Sequence, residues 1–147
     1  VFLKIHNSIT KLAKVKREDI QAYHENDVFI IEVKGVKAQF PTHHDLFQIL
    51  PYFGSNKKRH SPNNVYALSI ISHDNRNYIN NRSITFWDNQ NNIDLINSDI
   101  GAISAIDLII LFKNLKTGTL TFEEFKNILK ISGILTYDSK GGKTLKK

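Results

Sequence analysis

The stretch that decides the fold runs from Asp19 to Gly35 and reads DIQAYHENDVFIIEVKG. Its middle, His24 to Asp27, consists of residues that favour turns. Val28 to Val33 (VFIIEV) follows and is rich in β-branched and aromatic residues, which favour a strand buried on at least one face. The stretch therefore predicts a β-hairpin, from which the rest of the fold can be built outward.

Pairing across the turn determines which polar side chains share a face of the sheet. With the turn centred between its two middle residues, Tyr23 faces Val28 and Asp19 faces Glu32. Because side chains alternate along a strand, Asp19, Glu32 and Lys34 are expected on one face and the apolar residues between them on the other. The sequence thus predicts two carboxylates and one ammonium group at a single place on the sheet.

Two carboxylates that face each other across a hairpin repel, and a divalent cation between them would reverse that effect. Magnesium prefers carboxylate oxygens, few protein ligands and retained waters, so Asp19, Glu32 and the main-chain carbonyl of Val33 would suit it. Lys34 reaches the same place and could orient or help deprotonate a water, or neutralise a phosphate. The alternative is a surface hairpin whose charges are merely solvated.

These residues resemble the active-site hairpin of the PD-(D/E)XK nuclease superfamily, which has the restriction-endonuclease-like fold. The matching residues are Asp19 and, after twelve intervening residues, Glu32 and Lys34 within IIEVKG. Downstream, Gln48 and Tyr52 are similar to the QxxxY motif of the RecB-like branch. The resemblance implies the α/β class, with an α+β mixed β-sheet flanked by helices and two helices at the C-terminal end.

The resemblance also implies a role for each residue. Asp19 and Glu32 would bind Mg²⁺ or Mn²⁺ together with the carbonyl of Val33, and Lys34 would assist the attacking water. Gln48 would touch the metal site or the DNA backbone. The activity would be that of a Mg²⁺-dependent deoxyribonuclease, an endonuclease acting in restriction, defence or repair. DNA and other domains or subunits of a larger nuclease or defence complex would be its partners.

Basic residues outside the hairpin are candidates for phosphate contacts. Lys57, Lys58 and Arg59 lie in a polar stretch, and Arg82 lies beside a second one. Such residues would contribute salt-sensitive binding to DNA rather than sequence specificity. Charges in polar stretches are often only solvated, and that alternative stays open here.

Patterns elsewhere predict the remaining elements. Thr42 to Asp45 has the spacing of a capping box, so a helix should begin there and run towards Leu50, with Pro51 breaking or kinking it. The other predictions are a polar loop at 54–64, strands at 12–16, 65–72 and 83–87, a helix at 98–115 and a last helix from Thr121 to Gly133. The two last helices could form a DNA-reading helix-turn-helix, but we expect them to pack on the sheet.

Composition limits the class of protein. The 147 residues fit one domain, expected over 1–137 with a flexible basic tail at 138–147, and 41% are hydrophobic. The sequence predicts no membrane span, and the absence of Cys excludes disulfides and thiolate zinc sites. A cytoplasmic location is the default expectation. Because Met is absent even at position 1, we expect the chain to be a piece of a longer protein.

Charge and hairpin are compatible with three functions. The net charge of +6 is typical of, but not specific to, proteins that bind nucleic acid. Besides a nuclease, the chain could be a non-catalytic nucleic-acid-binding module of the same fold. It could also be an unrelated α+β interaction domain, in which Asp19→Asn should leave every activity and the metal affinity unchanged.

Overall fold

The computed structural model describes residues 2–5, 19–36, 41–73 and 89–137, which form a six-stranded sheet and five helices. The strands are β1 (Phe2–Ile5), β2 (Ile20–His24), β3 (Asp27–Val36), β4 (Asn64–His73), β5 (Ile100–Ser104) and β6 (Gly133–Leu135). The helices are α1 (His43–Phe47), α2 (Leu50–Arg59), α3 (Asn89–Asn97), α4 (Ala105–Lys116) and α5 (Phe122–Leu129).

The sheet is mixed, and its strands lie side by side in chain order. β1, β2 and β3 pair antiparallel, whereas β3, β4, β5 and β6 pair parallel. α1 and α2 lie between β3 and β4 in the chain, and α4 and α5 lie between β5 and β6. The predicted fold class, α/β with a mixed sheet flanked by helices, is confirmed.

The hairpin of β2 and β3 has the predicted register. Tyr23 pairs with Val28, and the ladder continues to the pair of Ile20 and Ile31. Glu25 in the two-residue turn has a φ of 53°, as the tight turns that join twisted strands require. The positions of the polar residues on β3 follow from this register.

The two faces of the sheet contribute to two separate cores. Val28 and Ile30 of β3 belong to a core built with α1, α2 and α3. Ile31, the next residue, points to the other face and packs against a core built with α4 and α5. By the same alternation Glu32 and Lys34 lie on the face covered by α1, α2 and α3.

α4 and α5 pack on the sheet, as expected, because Leu111, Phe125 and Ile128 are buried against it. Beside them an apolar cavity of about 360 Å³ lies against β2, β3 and β4, on the face opposite to Glu32. None of the helices in the described ranges combines the length and apolarity needed to cross a membrane.

The capping box is present, and Pro51 acts as predicted. The Thr42 hydroxyl accepts a hydrogen bond from the Asp45 N–H over 3.2 Å, and the Thr42 N–H donates to the Asp45 carboxylate over 2.9 Å. α1 ends at Phe47, and α2 begins at Leu50 with Pro51 in its first turn. Proline is tolerated there because N–H groups in the first turn of a helix have no intrahelical acceptor. The helix is therefore broken between Gln48 and Tyr52.

Two predictions about secondary structure are wrong. The polar loop expected at 54–64 is mostly α2, in which Lys57, Lys58 and Arg59 are exposed while Phe53 and Asn56 are buried. The helix expected at 98–115 is instead β5 followed by α4. All five residues of β5 are buried, and a short apolar run of this kind does not distinguish a strand from a helix.

The end of the chain also differs from expectation. α5 begins after Thr121 as predicted but ends at Leu129, and the last strand, β6, begins at Gly133. Gly133 has a φ of 96°, which glycine adopts without strain. The strands expected at 12–16 and 83–87 and the tail at 138–147 lie outside the described residues.

Candidate active site

Asp19 lies immediately before β2, against the neighbouring strand β3. Its Oδ2 accepts a hydrogen bond from the main-chain N–H of Val33 over 2.9 Å. The last pair of the ladder is Ile20 with Ile31, and one further step of this register sets Asp19 opposite Glu32. The structure thus brings the two acidic residues to neighbouring positions.

Glu32 is a buried carboxylate in a largely apolar part of the sheet. Its side of β3 also carries Ile30, which is fully buried, and only 6% of Glu32 is exposed. On β4 it pairs with Ser69, whose hydroxyl donates to the carbonyl of Leu46 over 2.8 Å. Burial of a carboxylate is unfavourable unless opposite charge or hydrogen bonds compensate. The alternative of a surface hairpin with solvated charges therefore does not apply to Glu32.

The main chain of Val33 is directed toward Asp19. Its N–H donates to the Asp19 carboxylate. In an antiparallel pair the N–H and C=O of one residue point to the same neighbouring strand, so the carbonyl of Val33 is directed to the same side of β3. The side chain is 42% exposed on the opposite face. This orientation is the one that a metal-ligating carbonyl beside Asp19 requires.

The Lys34 side chain is held by α1 and the residue that follows it. Its Nζ donates to Oε1 of Gln48 over 3.3 Å and lies 3.9 Å from Oδ1 of Asp45. The resemblance implied that Gln48 touches the metal site or the DNA backbone. The structure shows its side-chain oxygen accepting a hydrogen bond from the ammonium group of Lys34, and contact with a metal or with DNA stays a prediction.

Asp45 is the residue that the sequence argument missed at this place. Burial opposes its ionisation, but hydrogen bonds from the backbone and side chain of Thr42 and the charge of Lys34 outweigh burial and lower the pKa of Asp45. The sequence did contain a signal, because Asp45 and Gln48 are three residues apart and share a helix face. Their common partner depends on how α1 lies over β3, which spacing alone does not determine.

Asp19, Glu32, Val33 and Lys34 together are called the hairpin site below. Within the described ranges the structure has no group of three or more His, Cys, Asp or Glu side chains that could hold a metal ion. The hairpin site offers two carboxylates and a main-chain carbonyl, a set that suits Mg²⁺ or Mn²⁺ because such hard ions keep several waters. With Asp45, this region contains three carboxyl groups and one ammonium group, a formal charge of −2, which favours a divalent cation.

The basic residues predicted to bind phosphates lie away from the hairpin site. Lys57, Lys58 and Arg59 form the last turn of α2, which leads from the carboxyl end of β3 back to the amino end of β4. A helix of this length spans about 15 Å, so they lie near the opposite end of the sheet. Lys57 lies 4.0 Å from the carboxylate of Asp99. Arg82 lies outside the described residues.

No protein-family model, no curated protein and no solved structure matches the chain. The features that indicate a function are therefore those of the hairpin site: two neighbouring carboxylates, a main-chain carbonyl directed to their side and a lysine held by α1.

Proposed function

We propose that this protein is a Mg²⁺- or Mn²⁺-dependent nuclease that hydrolyses DNA phosphodiester bonds, with a site of the PD-(D/E)XK type. The observation that carries the proposal is the hydrogen bond from the Val33 N–H to Asp19, which holds one carboxylate opposite the buried carboxylate of Glu32. The setting would be restriction, defence or repair in the cytoplasm, with DNA and other parts of a larger complex as partners.

The two acidic residues would bind the cation. Asp19 and Glu32 would contribute carboxylate oxygens, and Val33 would contribute its carbonyl. When bound, Mg²⁺ would supply Lewis-acid stabilisation of charge on the phosphate and would lower the pKa of a water. The Val33 N–H fixes the orientation of Asp19 in advance, so less ordering of that side chain accompanies binding.

Lys34 would act on the phosphate and the attacking water. It lies two residues beyond Glu32 on the same sheet face, and Gln48 accepts a hydrogen bond from its ammonium group. A positive charge in this position would stabilise the negative charge that develops on the phosphoryl oxygens in the transition state. It would also donate a hydrogen bond to the incoming water.

Cleavage of supercoiled plasmid and of a fluorescently labelled DNA duplex tests the proposal. Wild type should cut with Mg²⁺ or Mn²⁺ and stop when chelator is added. Glu32→Ala and Lys34→Ala should abolish cutting, whereas both should still bind DNA by fluorescence anisotropy in Ca²⁺. Lys116→Ala is the matched control, because it removes an exposed lysine of α4, which covers the other face of the sheet, and should leave the cleavage rate unchanged.

The possible failures have different meanings. Cutting by Glu32→Ala or Lys34→Ala at the wild-type rate would refute the assigned roles. A wild type that binds DNA without cutting it under either metal would instead be a non-catalytic binding module. A wild type that neither cuts nor binds DNA would be an interaction domain whose hairpin charges have another purpose.

A further inference from the structure

Two side chains of the α1 segment face the ammonium group of Lys34. Asp45 approaches it within 3.9 Å and Gln48 within 3.3 Å, and the two residues are one helical turn apart. A lysine ammonium has three N–H donors and no directional preference of its own. Two oxygens from one rigid segment would restrict where the ammonium group can lie.

The two oxygens of Asp45 have different partners. Oδ2 accepts hydrogen bonds from the Thr42 N–H over 2.9 Å and from the Thr42 hydroxyl over 2.8 Å, which completes the capping box. Oδ1 is the oxygen that faces Lys34. Because the capping box already fixes the carboxylate, Asp45 loses little further side-chain freedom when it interacts with Lys34.

Burial distinguishes this pair from an ordinary surface ion pair. The side chains of Lys34 and Asp45 are 33% and 16% exposed. Those of Lys57 and Asp99 lie at nearly the same separation, 4.0 Å, but are 50% and 72% exposed. Exposed pairs contribute little because water screens them, whereas partly buried pairs are screened less.

We propose that Asp45 is a positioning residue that, with Gln48, fixes the ammonium group of Lys34 beside Glu32. This inference rests on the proposed nuclease function. Asp45 does not touch the substrate in this account. It connects the cap of α1 to the hairpin site, so that the placement of the helix over β3 determines the placement of the lysine.

Steady-state kinetics on the DNA duplex test the functional part. Asp45→Asn removes the charge but retains an oxygen for the Thr42 N–H. It should lower kcat about tenfold or more, while KM stays within twofold of wild type. The reason is that misplacing a reacting group by about 1 Å can lower the rate a hundredfold. Thr121→Ala is the matched control, because it weakens a capping box of the same kind at the start of α5 and leaves Asp45 and its partners in place. It should lower the melting temperature and leave kcat near wild type. Equal loss of kcat in both variants, or wild-type kcat in Asp45→Asn, would overturn the proposal.

A double-mutant cycle tests the contact without relying on activity. The urea midpoints of Lys34→Met, Asp45→Asn and the double variant should be non-additive. The same cycle on Lys57→Met and Asp99→Asn should be additive within error. Additivity for Lys34 and Asp45 would overturn the proposal. If wild type does not cut DNA, the proposed function fails, while this cycle still decides whether Asp45 holds Lys34.

Discussion

Asp19→Asn should stabilise the folded protein in chelator and abolish cleavage. The asparagine Oδ1 can still accept the hydrogen bond that Val33 donates to Asp19 over 2.9 Å, so the substitution removes a charge and keeps the contact. Asp19 lies opposite Glu32, and like charges directly opposite on a hairpin destabilise it. The variant should therefore lose a repulsion and little else.

The size of the effect follows from the strand geometry. Unit charges about 5 Å apart repel by about 3 kcal/mol at an effective dielectric constant of about 20 and by about 1 kcal/mol in water. Asp19 is only half-buried, so the lower limit applies. We expect the free energy of unfolding to rise by about 1 kcal/mol in chelator.

Urea unfolding at pH 7, followed by circular dichroism, measures this change. With a slope of about 2 kcal/mol per molar, the midpoint of Asp19→Asn should lie about 0.5 M above that of wild type in chelator. Mg²⁺ at about a hundred times its dissociation constant should stabilise wild type by about 2.7 kcal/mol and the variant far less. The order of the two midpoints should therefore reverse when Mg²⁺ replaces the chelator.

Asp99→Asn is the control for removal of a carboxylate. The side chain of Asp99 is 72% exposed, and its φ of 56° is tolerated by asparagine. With or without Mg²⁺, the free energy of unfolding of Asp99→Asn should differ from that of wild type by less than about 0.5 kcal/mol. The reasoning is refuted if Asp19→Asn is less stable than wild type in chelator, or if neither Mg²⁺ nor Mn²⁺ moves the wild-type midpoint.

Two further predictions concern other parts of the molecule. Replacing Lys57, Lys58 and Arg59 with Ala should weaken DNA binding and leave kcat unchanged. It should also lower the slope of log affinity against log salt concentration by up to about 3. An unaltered slope would exclude phosphate contacts at this turn of α2. Burial opposes ionisation of Asp27, but the hydrogen bond and charge of Lys130, 2.6 Å away, outweigh it and lower the pKa of Asp27 below 3.8. The stability that Asp27 contributes should therefore be complete above its unfolded pKa of 3.8 and be lost as pH falls through the lowered pKa of the folded state. In urea unfolding, Asp27→Asn should cost about 3 kcal/mol at pH 7 and progressively less as the pH is lowered below that range. A constant difference across that range would contradict this.

The hairpin could be predicted because its determinants are local. The turn at Glu25 and Asn26 sets the pairing, and strand alternation then places every side chain on one face or the other. The register of Tyr23 with Val28 and the neighbouring positions of Asp19 and Glu32 needed no knowledge of the rest of the fold. The same holds for the caps at Thr42 and Thr121, which depend on residues three positions apart.

The elements that prediction missed depend on contacts distant in sequence. β5 is a strand because it pairs with β4 and β6, and its pattern alone also fits a helix. Gly101 shows how closely the chain packs against β5, because a Cβ there would lie 2.7 Å from the carbonyl oxygen of Ile131. Likewise, α2 forms because Phe53 is buried in the core, although Gly54 and the polar residues after it favour a loop. Tertiary packing outweighed local preference in both places.

The site was partly predictable for the same reason. Asp19, Glu32, Val33 and Lys34 belong to one hairpin, so their arrangement follows from local pairing. Asp45 joins them only because α1 lies over β3.

The burial of Glu32 is the strongest argument that these charges serve a function. A protein selected only for stability would place an apolar residue at a position that is 6% exposed and follows Ile30 and Ile31 on β3. Instead a carboxylate lies there, opposite a second carboxylate, in the half of β3 nearer its carboxyl end. Ligands of open α/β sheets bind beyond the carboxyl ends of the strands. Two carboxylates at neighbouring positions in this half of the strand are what a ligand-binding site would show, because such sites retain charges that are unfavourable for folding and that binding compensates. Under the proposed function, the gain in stability expected from Asp19→Asn would measure the folding free energy that the pair of carboxylates costs.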